Sequence, residues 1–327
     1  MRSLLLGPYT LRTARRATVV ALFFQWFIVV TGATVRLTGS GLGCPNWPTC
    51  TTTRATPELS FHPMVEFLNR FTATPTLLAA LVAAWTCWRL ARPAGTPPRR
   101  DLRIATGLTV FGVLVQAGVG AMTVILELPP EIVAVHFLVS IGLLVSATVA
   151  VHAAGSPRPL RRARRAPLRA GAGLLMLASL LAVIVAGVLT TASGPHSGAA
   201  GTGQHVDRFG IFDVAVTLHA RGAYAFLVLV VALTWLRSRR GVALRDLGLL
   251  VSLVVVQVAL GEVQYRNGLP WGVVLAHVAN AALLWLVAVR IAADAVLPHE
   301  AIDAPEPSHH PSDREYDPRG SRHEAQV

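Results

Sequence analysis

Long apolar stretches alternate with short polar segments along this chain of 327 residues. Eight of the stretches are roughly 20 residues long, which is enough for an α-helix to cross the ~30 Å of hydrocarbon in a bilayer. They lie at about 17–35, 68–91, 104–126, 132–152, 170–192, 214–236, 246–265 and 272–293. The pattern predicts an all-α polytopic membrane protein with eight transmembrane helices.

Part of this pattern occurs twice. Residues 107–143 align with residues 248–284 without a gap, at an offset of 141. The matched pairs are Gln116 with Gln257, Gly120 with Gly261, Pro129 with Pro270, and His136 with His277. Residues 29–41 resemble residues 183–195 more loosely. Four spans in each half give both copies the same orientation, so we predict two pseudo-symmetric four-helix bundles related by an axis along the membrane normal.

The predicted organisation has four parts. Residues 1–156 form the N-terminal half, residues 157–169 an arginine-rich cytoplasmic linker, and residues 170–293 the C-terminal half. Residues 294–327 are rich in Pro, Asp, Glu and His, and are predicted to be a disordered, solvated cytoplasmic tail. The tail histidines are His299, His309, His310 and His323.

Composition and charge agree with a membrane protein. The chain is 53% hydrophobic and 14% charged, with a mean hydropathy of +0.54. Its net charge is +12, but all 29 basic residues are Arg in short clusters between apolar runs, which is typical of cytoplasmic loops and not of a nucleic-acid-binding face. Nineteen Arg surround the N-terminus and the even-numbered connections, against six on the opposite side, so both termini are predicted to be cytoplasmic.

Three histidines are the strongest candidates for chemistry. His136, His219 and His277 lie near the starts of the fourth, sixth and eighth spans, all at similar depth in the outer leaflet. An imidazole in lipid must face the bundle interior and find a partner. A single one is equally well explained as an interhelical hydrogen bond, but three at one depth favour metal ligands. A four-helix bundle can hold a haem between imidazoles on facing helices.

The two halves differ in these ligands. His219 and His277 supply a pair in the C-terminal half, where Arg221 would either bind a haem propionate or anchor the helix at the interface. In the N-terminal half the counterpart of His219 falls near residues 68–70, where Asn69 stands beside Arg70. This half is therefore predicted to leave His136 with an open or weakly filled axial position opposite, which suits catalysis.

Other polar residues near the predicted outer surface have alternative explanations. Glu66 is either a proton acceptor beside the haem or a carboxylate at a helix N-terminus. Cys44 and Cys50 in the first outer loop could form a structural disulfide or a redox-active pair. His62 is predicted to lie in that loop, from which it would have to fold inward to reach the haem. In the third outer loop the residues that either cover the haem or cap the loop are His196, Asp207 and Arg208.

A combination of motifs gives the chain a family resemblance. The motifs are Cys44 with Cys50, the Glu66-x-x-Asn69-Arg70 segment, the Gly194-Pro195-His196 stretch, and the histidines at 136, 219 and 277. Over about residues 17–293 the chain resembles haem A synthases, bacterial cell-membrane enzymes that convert haem O to haem A for cytochrome oxidase. The family motif usually carries His where this chain has Asn69.

The resemblance implies a function for each half. His219 and His277 would bind haem b, and His136 would bind haem O as substrate, with Glu66 as the catalytic carboxylate. The C8 methyl of haem O would be oxidised to a formyl by successive hydroxylations, with electrons leaving through haem b to an unidentified acceptor such as a quinone. Cys44 and Cys50 would form a disulfide that supports the loop or carries electrons. Haem O synthase would deliver the substrate.

Three other functions are compatible with parts of the sequence. A quinone-linked electron-transfer cytochrome would have two bis-histidine sites and no need for Glu66, which the Asn69 position argues against. A transporter with an internal repeat would place polar groups at the membrane midplane, whereas these lie near the outer surface. A haem carrier or assembly protein without catalysis would need the same ligands.

Overall fold

The computed structural model describes residues 9–91, 98–160, 167–203, 205–239 and 245–297. Within these ranges the chain forms eight long α-helices: α1 Leu11–Leu37, α2 Phe61–Trp88, α3 Arg100–Ile125, α4 Pro130–Ala153, α5 Pro167–Ser193, α6 Phe212–Ser238, α7 Arg245–Arg266 and α8 Trp271–Val296. All eight are long and apolar enough to cross a membrane, as predicted. A short 3₁₀ helix, Ala200–Thr202, lies between α5 and α6.

One helix boundary differs from the prediction in a way that affects the site. The second span was expected to begin near residue 68, but α2 begins at Phe61. His62, predicted to be in the loop, is in the first turn of α2, and Glu66 is in the second. A hydropathy profile assigns such polar residues to a loop because it counts their polarity and not the hydrogen-bond partners that they have inside the protein.

The eight helices form two four-helix bundles. In the N-terminal half α1 packs against α2 and α4, and α3 packs against α2 and α4; in the C-terminal half α5 to α8 repeat these contacts. The halves meet through α1 with α8, α4 with α5, and α4 with α8. Exchanging the two halves leaves this contact pattern unchanged, which is consistent with the predicted pseudo-two-fold axis.

The repeat extends to the backbone of two turns. Between α3 and α4, Glu127 and Leu128 are left-handed, with φ of 60° and 63°. Between α7 and α8, Gly268 and Leu269 occupy the equivalent positions, with φ of 71° and 61°. In each turn the N–H of the second residue donates to the carbonyl five residues earlier, at 2.7 Å and 2.8 Å. The offset of 141 therefore describes backbone conformation as well as sequence.

Two predicted segments lie partly outside the described residues. They are residues 161–166 of the linker and residues 298–327 of the tail, including its four histidines. Each segment adjoins a helix on one side, because residues 167–169 belong to α5 and residues 294–296 continue α8. Arg169 and Asp294 form an ion pair there.

Candidate functional site

The C-terminal half brings two predicted ligands together. The ring centroids of His219 on α6 and His277 on α8 are 6.1 Å apart, with 68° between the ring planes. Metal–imidazole bonds of about 2 Å on opposite sides of one ion place the two ring centroids roughly 6 Å apart. The separation of His219 and His277 therefore fits an iron held between them.

Both rings pack against glycines of the neighbouring helix. A Cβ on Gly187 of α5 would lie 2.9 Å from Cε1 of His219, and a Cβ on Gly261 of α7 would lie 3.4 Å from Cε1 of His277. Nδ1 of His219 is 2.9 Å from the carbonyl oxygen of Val183. A proton on Nδ1 donated to that carbonyl leaves Nε2 available as a metal ligand.

His136 of the N-terminal half packs against its neighbouring helix as His277 does. A Cβ on Gly120 of α3 would lie 3.3 Å from Cε1 of His136. The Gln116 amide donates to the backbone carbonyl of His136 at 2.9 Å. Nδ1 of His136, like Nδ1 of His277, is buried without a hydrogen-bond partner among the described residues. The repeat therefore reproduces the packing of one imidazole in each half.

Asn69 takes the position that His219 has in the other half. Asn69 on α2 lies beside Gly32 of α1, where a Cβ would be 3.9 Å from Oδ1 of Asn69. His219 lies beside Gly187 in the same way. These contacts pair Gly32 with Gly187, which is an offset of 155 residues. The loose alignment of residues 29–41 with 183–195 has an offset of 154, so the structure shifts it by one residue. Asn69 is thus the counterpart of His219, as the sequence indicated.

Glu66 is enclosed in the N-terminal half. It is 3% exposed, and each carboxylate oxygen accepts a hydrogen bond. The backbone N–H of Cys44 donates to Oε2 at 2.7 Å, and the Arg70 guanidinium donates to Oε1 at 2.5 Å. A surface carboxylate at a helix N-terminus is therefore not the role of Glu66. A buried carboxylate is retained only where such partners stabilise its charge.

The α1–α2 loop, which is predicted to be the first outer loop, is fixed by a disulfide and by Arg70. Cys44 and Cys50 are bonded to each other. The Arg70 guanidinium donates to three carbonyls of the loop, at 2.6 Å to Cys44, 2.7 Å to Asn46 and 3.3 Å to Thr49. Because the same guanidinium binds Glu66, it joins the disulfide loop to the buried carboxylate.

The first outer loop also packs against the α5–α6 connection of the other half. The Gly41 N–H donates to the Gly198 carbonyl at 2.7 Å. His62 has Nδ1 3.0 Å from the Ser40 hydroxyl, and its ring fills the space beside Gly201, where a Cβ would lie 2.1 Å from Cε1. These contacts join the two bundles at the end where the α1–α2 loop and the α5–α6 connection lie.

The residues of the α5–α6 connection, which is predicted to be the third outer loop, have structural partners. Nε2 of His196 lies 2.9 Å from the Leu269 carbonyl in the α7–α8 turn. Arg208 donates to the carbonyls of Thr191 and Gly194 at the end of α5, and its burial lowers its pKa. Asp207 is exposed. In this structure His196 and Arg208 tie the loop to helix ends.

Arg221 contrasts with Arg70. It is exposed on the third turn of α6, and it has no hydrogen bond or ion pair with any residue in the described ranges. Its guanidinium is therefore available to a carboxylate brought by a ligand, whereas that of Arg70 is occupied by the loop and Glu66.

Sequence reasoning missed some contacts that shape the site. The sequence indicated only two of the three glycines that lie beside the imidazoles. Gly120 and Gly261 are matched in the repeat, whereas Gly187 is not part of it. Thr31, which donates to Oδ1 of Asn69 at 2.8 Å, had no signal in the sequence. Its partner becomes apparent only when α1 is packed against α2.

Comparison with known proteins identifies the family. The family model described as cytochrome oxidase assembly protein, COX15-CtaA, matches residues 15–60 and 58–289. The Heme A synthase of Methylobacterium sp. is 30% identical over 315 residues, covering 80% of this chain and 86% of that protein. That of Shewanella oneidensis is 27% identical over 323 residues, covering 83% and 93%. That of Bacillus pumilus is 29% identical over 128 residues, covering 39% of this chain and only 40% of that protein. The chain belongs to the haem A synthase family of cytochrome oxidase assembly proteins.

Proposed function

We propose that this protein oxidises the C8 methyl of haem O to a formyl by successive hydroxylations, producing haem A, with a bound haem b as its electron-transfer cofactor. The observation that carries the proposal is the contrast between the two halves. One has two imidazoles at the spacing of a closed iron site. The other has one imidazole, an amide in place of the second, and a buried carboxylate.

His219 and His277 are the residues that would hold haem b. Their ring separation of 6.1 Å, and the hydrogen bond that leaves Nε2 of His219 free, fit two axial imidazoles. A haem with two axial imidazoles supplies one-electron transfer. The free guanidinium of Arg221, two residues after His219, would pair with a propionate.

His136 would bind the iron of haem O, and Glu66 would accept protons during the oxidation. Converting a methyl to a formyl with one water releases four protons and four electrons, so the site needs a proton acceptor and a route for electrons. Glu66 lies three residues before Asn69, on the same face of α2. Its enclosed carboxylate, held by Arg70 and Cys44, is positioned to accept protons.

The disulfide loop and the partners complete the proposal. Arg70 and the bonded Cys44–Cys50 loop would keep Glu66 in place and exclude water from the N-terminal site. Both termini would be cytoplasmic, and both haem sites would face the outer side of a bacterial cell membrane, surrounded by lipid. Haem O synthase would supply the substrate, and a membrane-soluble carrier such as a quinone would accept the electrons.

The test is the identity of the bound haems. The full-length protein is purified with and without co-expressed haem O synthase, and its haems are extracted and identified by mass. We expect haem b alone without the partner. With the partner we expect haem O together with haem A or a hydroxylated precursor. Haem b alone under both conditions would overturn the proposal.

An electron-transfer cytochrome is the second candidate function, because the His219–His277 separation on its own suits it. Such a cytochrome would hold haem b whether or not haem O is supplied. Its haem b content and its electron transfer would also be unchanged when the Glu66 carboxylate is lost.

A further inference from the structure

The first step is the equivalence of two positions on α2 and α6. An offset of 150 pairs Asn69 with His219, and it also pairs Thr76 with Phe226, both of which are buried. Asn69 and His219 each lie beside a glycine of the preceding helix. The two side chains therefore enter their bundles at the same place.

The groove for a second imidazole is present in the N-terminal half. In the C-terminal half the glycine is required, since a Cβ on Gly187 would lie 2.9 Å from the His219 ring. In the N-terminal half a Cβ on Gly32 would make only ordinary contact with Asn69, at 3.9 Å. The absence of a side chain at Gly32 leaves room for a ring that Asn69 does not fill.

One hydroxyl group bonds to the Asn69 side chain and another to its backbone. Thr31 donates to its Oδ1 at 2.8 Å. Thr72 donates to its backbone carbonyl at 2.6 Å. Of the two polar atoms of the side chain, Nδ2 is a donor only, and Oδ1, which Thr31 engages, is an amide oxygen of the kind that suits hard cations and not haem iron. Asn69 therefore presents a hydrogen-bond donor where His219 presents a metal ligand.

The nearest alternative imidazole on α2 is occupied elsewhere. His62 precedes Asn69 by seven residues, which is roughly 10 Å along the helix axis toward the outer end. Its ring is fixed between the Ser40 hydroxyl and the backbone at Gly201. Reaching the level of Asn69 would require breaking the contact between the two outer loops.

We propose that the N-terminal half binds the iron of its haem through His136 alone, and that Asn69 keeps the opposite face open to a small exogenous ligand. This inference rests on the proposed function, since it takes haem as the ligand of that half. It predicts unlike coordination in one chain. The site in the N-terminal half is five-coordinate and reactive toward ligands, and the site between His219 and His277 is six-coordinate and closed.

The test uses carbon monoxide as a probe of open ferrous haem. The full-length protein is co-expressed with haem O synthase and purified, its haem content per chain is measured, and the reduced protein is titrated with CO. We expect about half of the bound haem to bind CO in the wild type, because only one of two sites is open. Asn69→His should abolish CO binding while the haem content stays the same.

Three further variants show which residues determine CO binding. Asn69→Ala removes the amide without adding a ligand, so it should bind CO as the wild type does. His136→Ala should lose the haem that binds CO. His219→Asn, the reciprocal exchange in the other half, should make the second haem bind CO as well.

Two results would overturn the inference and leave the proposed function intact. One is a wild type that holds two haems and binds no CO, in particular if His62→Ala then does. The other is an Asn69→His protein that binds CO as well as the wild type. A chain that holds a single haem even when haem O is supplied would overturn the proposed function and this inference together.

Discussion

The two halves share one set of helix contacts but fill their interiors with different side chains. At five pairs of equivalent buried positions the residue is small or polar in the N-terminal half and large and apolar in the C-terminal half. The pairs are Gln25 and Leu180, Thr76 and Phe226, Ala80 and Val230, Thr106 and Leu247, and Thr109 and Leu250. The main hydrophobic core accordingly consists mostly of C-terminal residues.

The difference shows that this bundle does not need a tightly packed apolar interior in both halves. The N-terminal half contains a small cavity of about 10 Å³ lined by Thr and Ala from all four of its helices, which is room for about one water molecule. Nε2 of Gln25 is also buried without a partner among the described residues. The polar interior belongs to the half that contains Glu66.

The largest effect is expected from the carboxylate that only the N-terminal half encloses. Glu66→Gln keeps the size of the side chain and removes its ability to take up a proton. We expect haem A formation to fall by about a hundred-fold or more, the range of general acid–base contributions. Haem content and the absorption spectrum of haem b should not change. Extracted haems, quantified by mass after co-expression with haem O synthase, measure the effect.

A matched control for Glu66→Gln exists in the C-terminal half. Glu262 forms the same i,i+4 pair with an arginine, Arg266, but both side chains are exposed, and neither bonds to a loop residue among those that the structure describes. Glu262→Gln should retain haem A formation. Equal losses in both variants would mean that the enclosure of Glu66 is irrelevant to activity.

The second effect concerns the fold of the disulfide loop. Arg70→Leu removes every hydrogen bond that the guanidinium makes to the loop and leaves the Glu66 charge buried without its partner. Removing one member of a buried ion pair costs about 3–5 kcal/mol. We expect a lower melting temperature and faster hydrogen exchange at residues 44–50. Arg266→Leu, which breaks an exposed pair, should change the melting temperature little.

The sequence predicted the helices because each one needs a continuous apolar stretch, and it predicted the repeat because both copies keep Gln, Gly, Pro and His at one spacing. It also located Asn69 as the counterpart of His219. It misplaced the start of α2, since Glu66 is a polar residue whose partners, the Arg70 guanidinium and the Cys44 N–H of the preceding loop, become apparent only in the folded structure. The outer-loop contacts of His62 could not be predicted, because they depend on backbone geometry at Gly201.

The third effect is expected from substitutions of buried residues in the interiors of the two bundles. Leu250→Thr places a small polar side chain in the C-terminal core and should destabilise the protein by about 3 kcal/mol through the cavity it creates. The reciprocal Thr109→Leu adds bulk where Thr109 now bonds to Ser146 at 2.9 Å, and should cost about 1–2 kcal/mol. Thermal unfolding in detergent measures both. If Thr109→Leu instead stabilised the protein, the interior of the N-terminal half would have unfilled space, and its polar residues would not be needed for stability.

The smallest effect concerns the two equivalent turns, which differ at one position. Glu127 and Gly268 are both left-handed, a conformation that costs a residue with a Cβ about 1 kcal/mol. Glu127→Gly relieves that strain but makes the unfolded chain more flexible, which cancels roughly half of the gain. We therefore expect a stabilisation of about 0.5 kcal/mol, and Gly268→Glu should destabilise by a similar amount. Melting temperatures of the two variants, measured side by side, test the equivalence of the turns: opposite shifts support it, and shifts of the same sign contradict it.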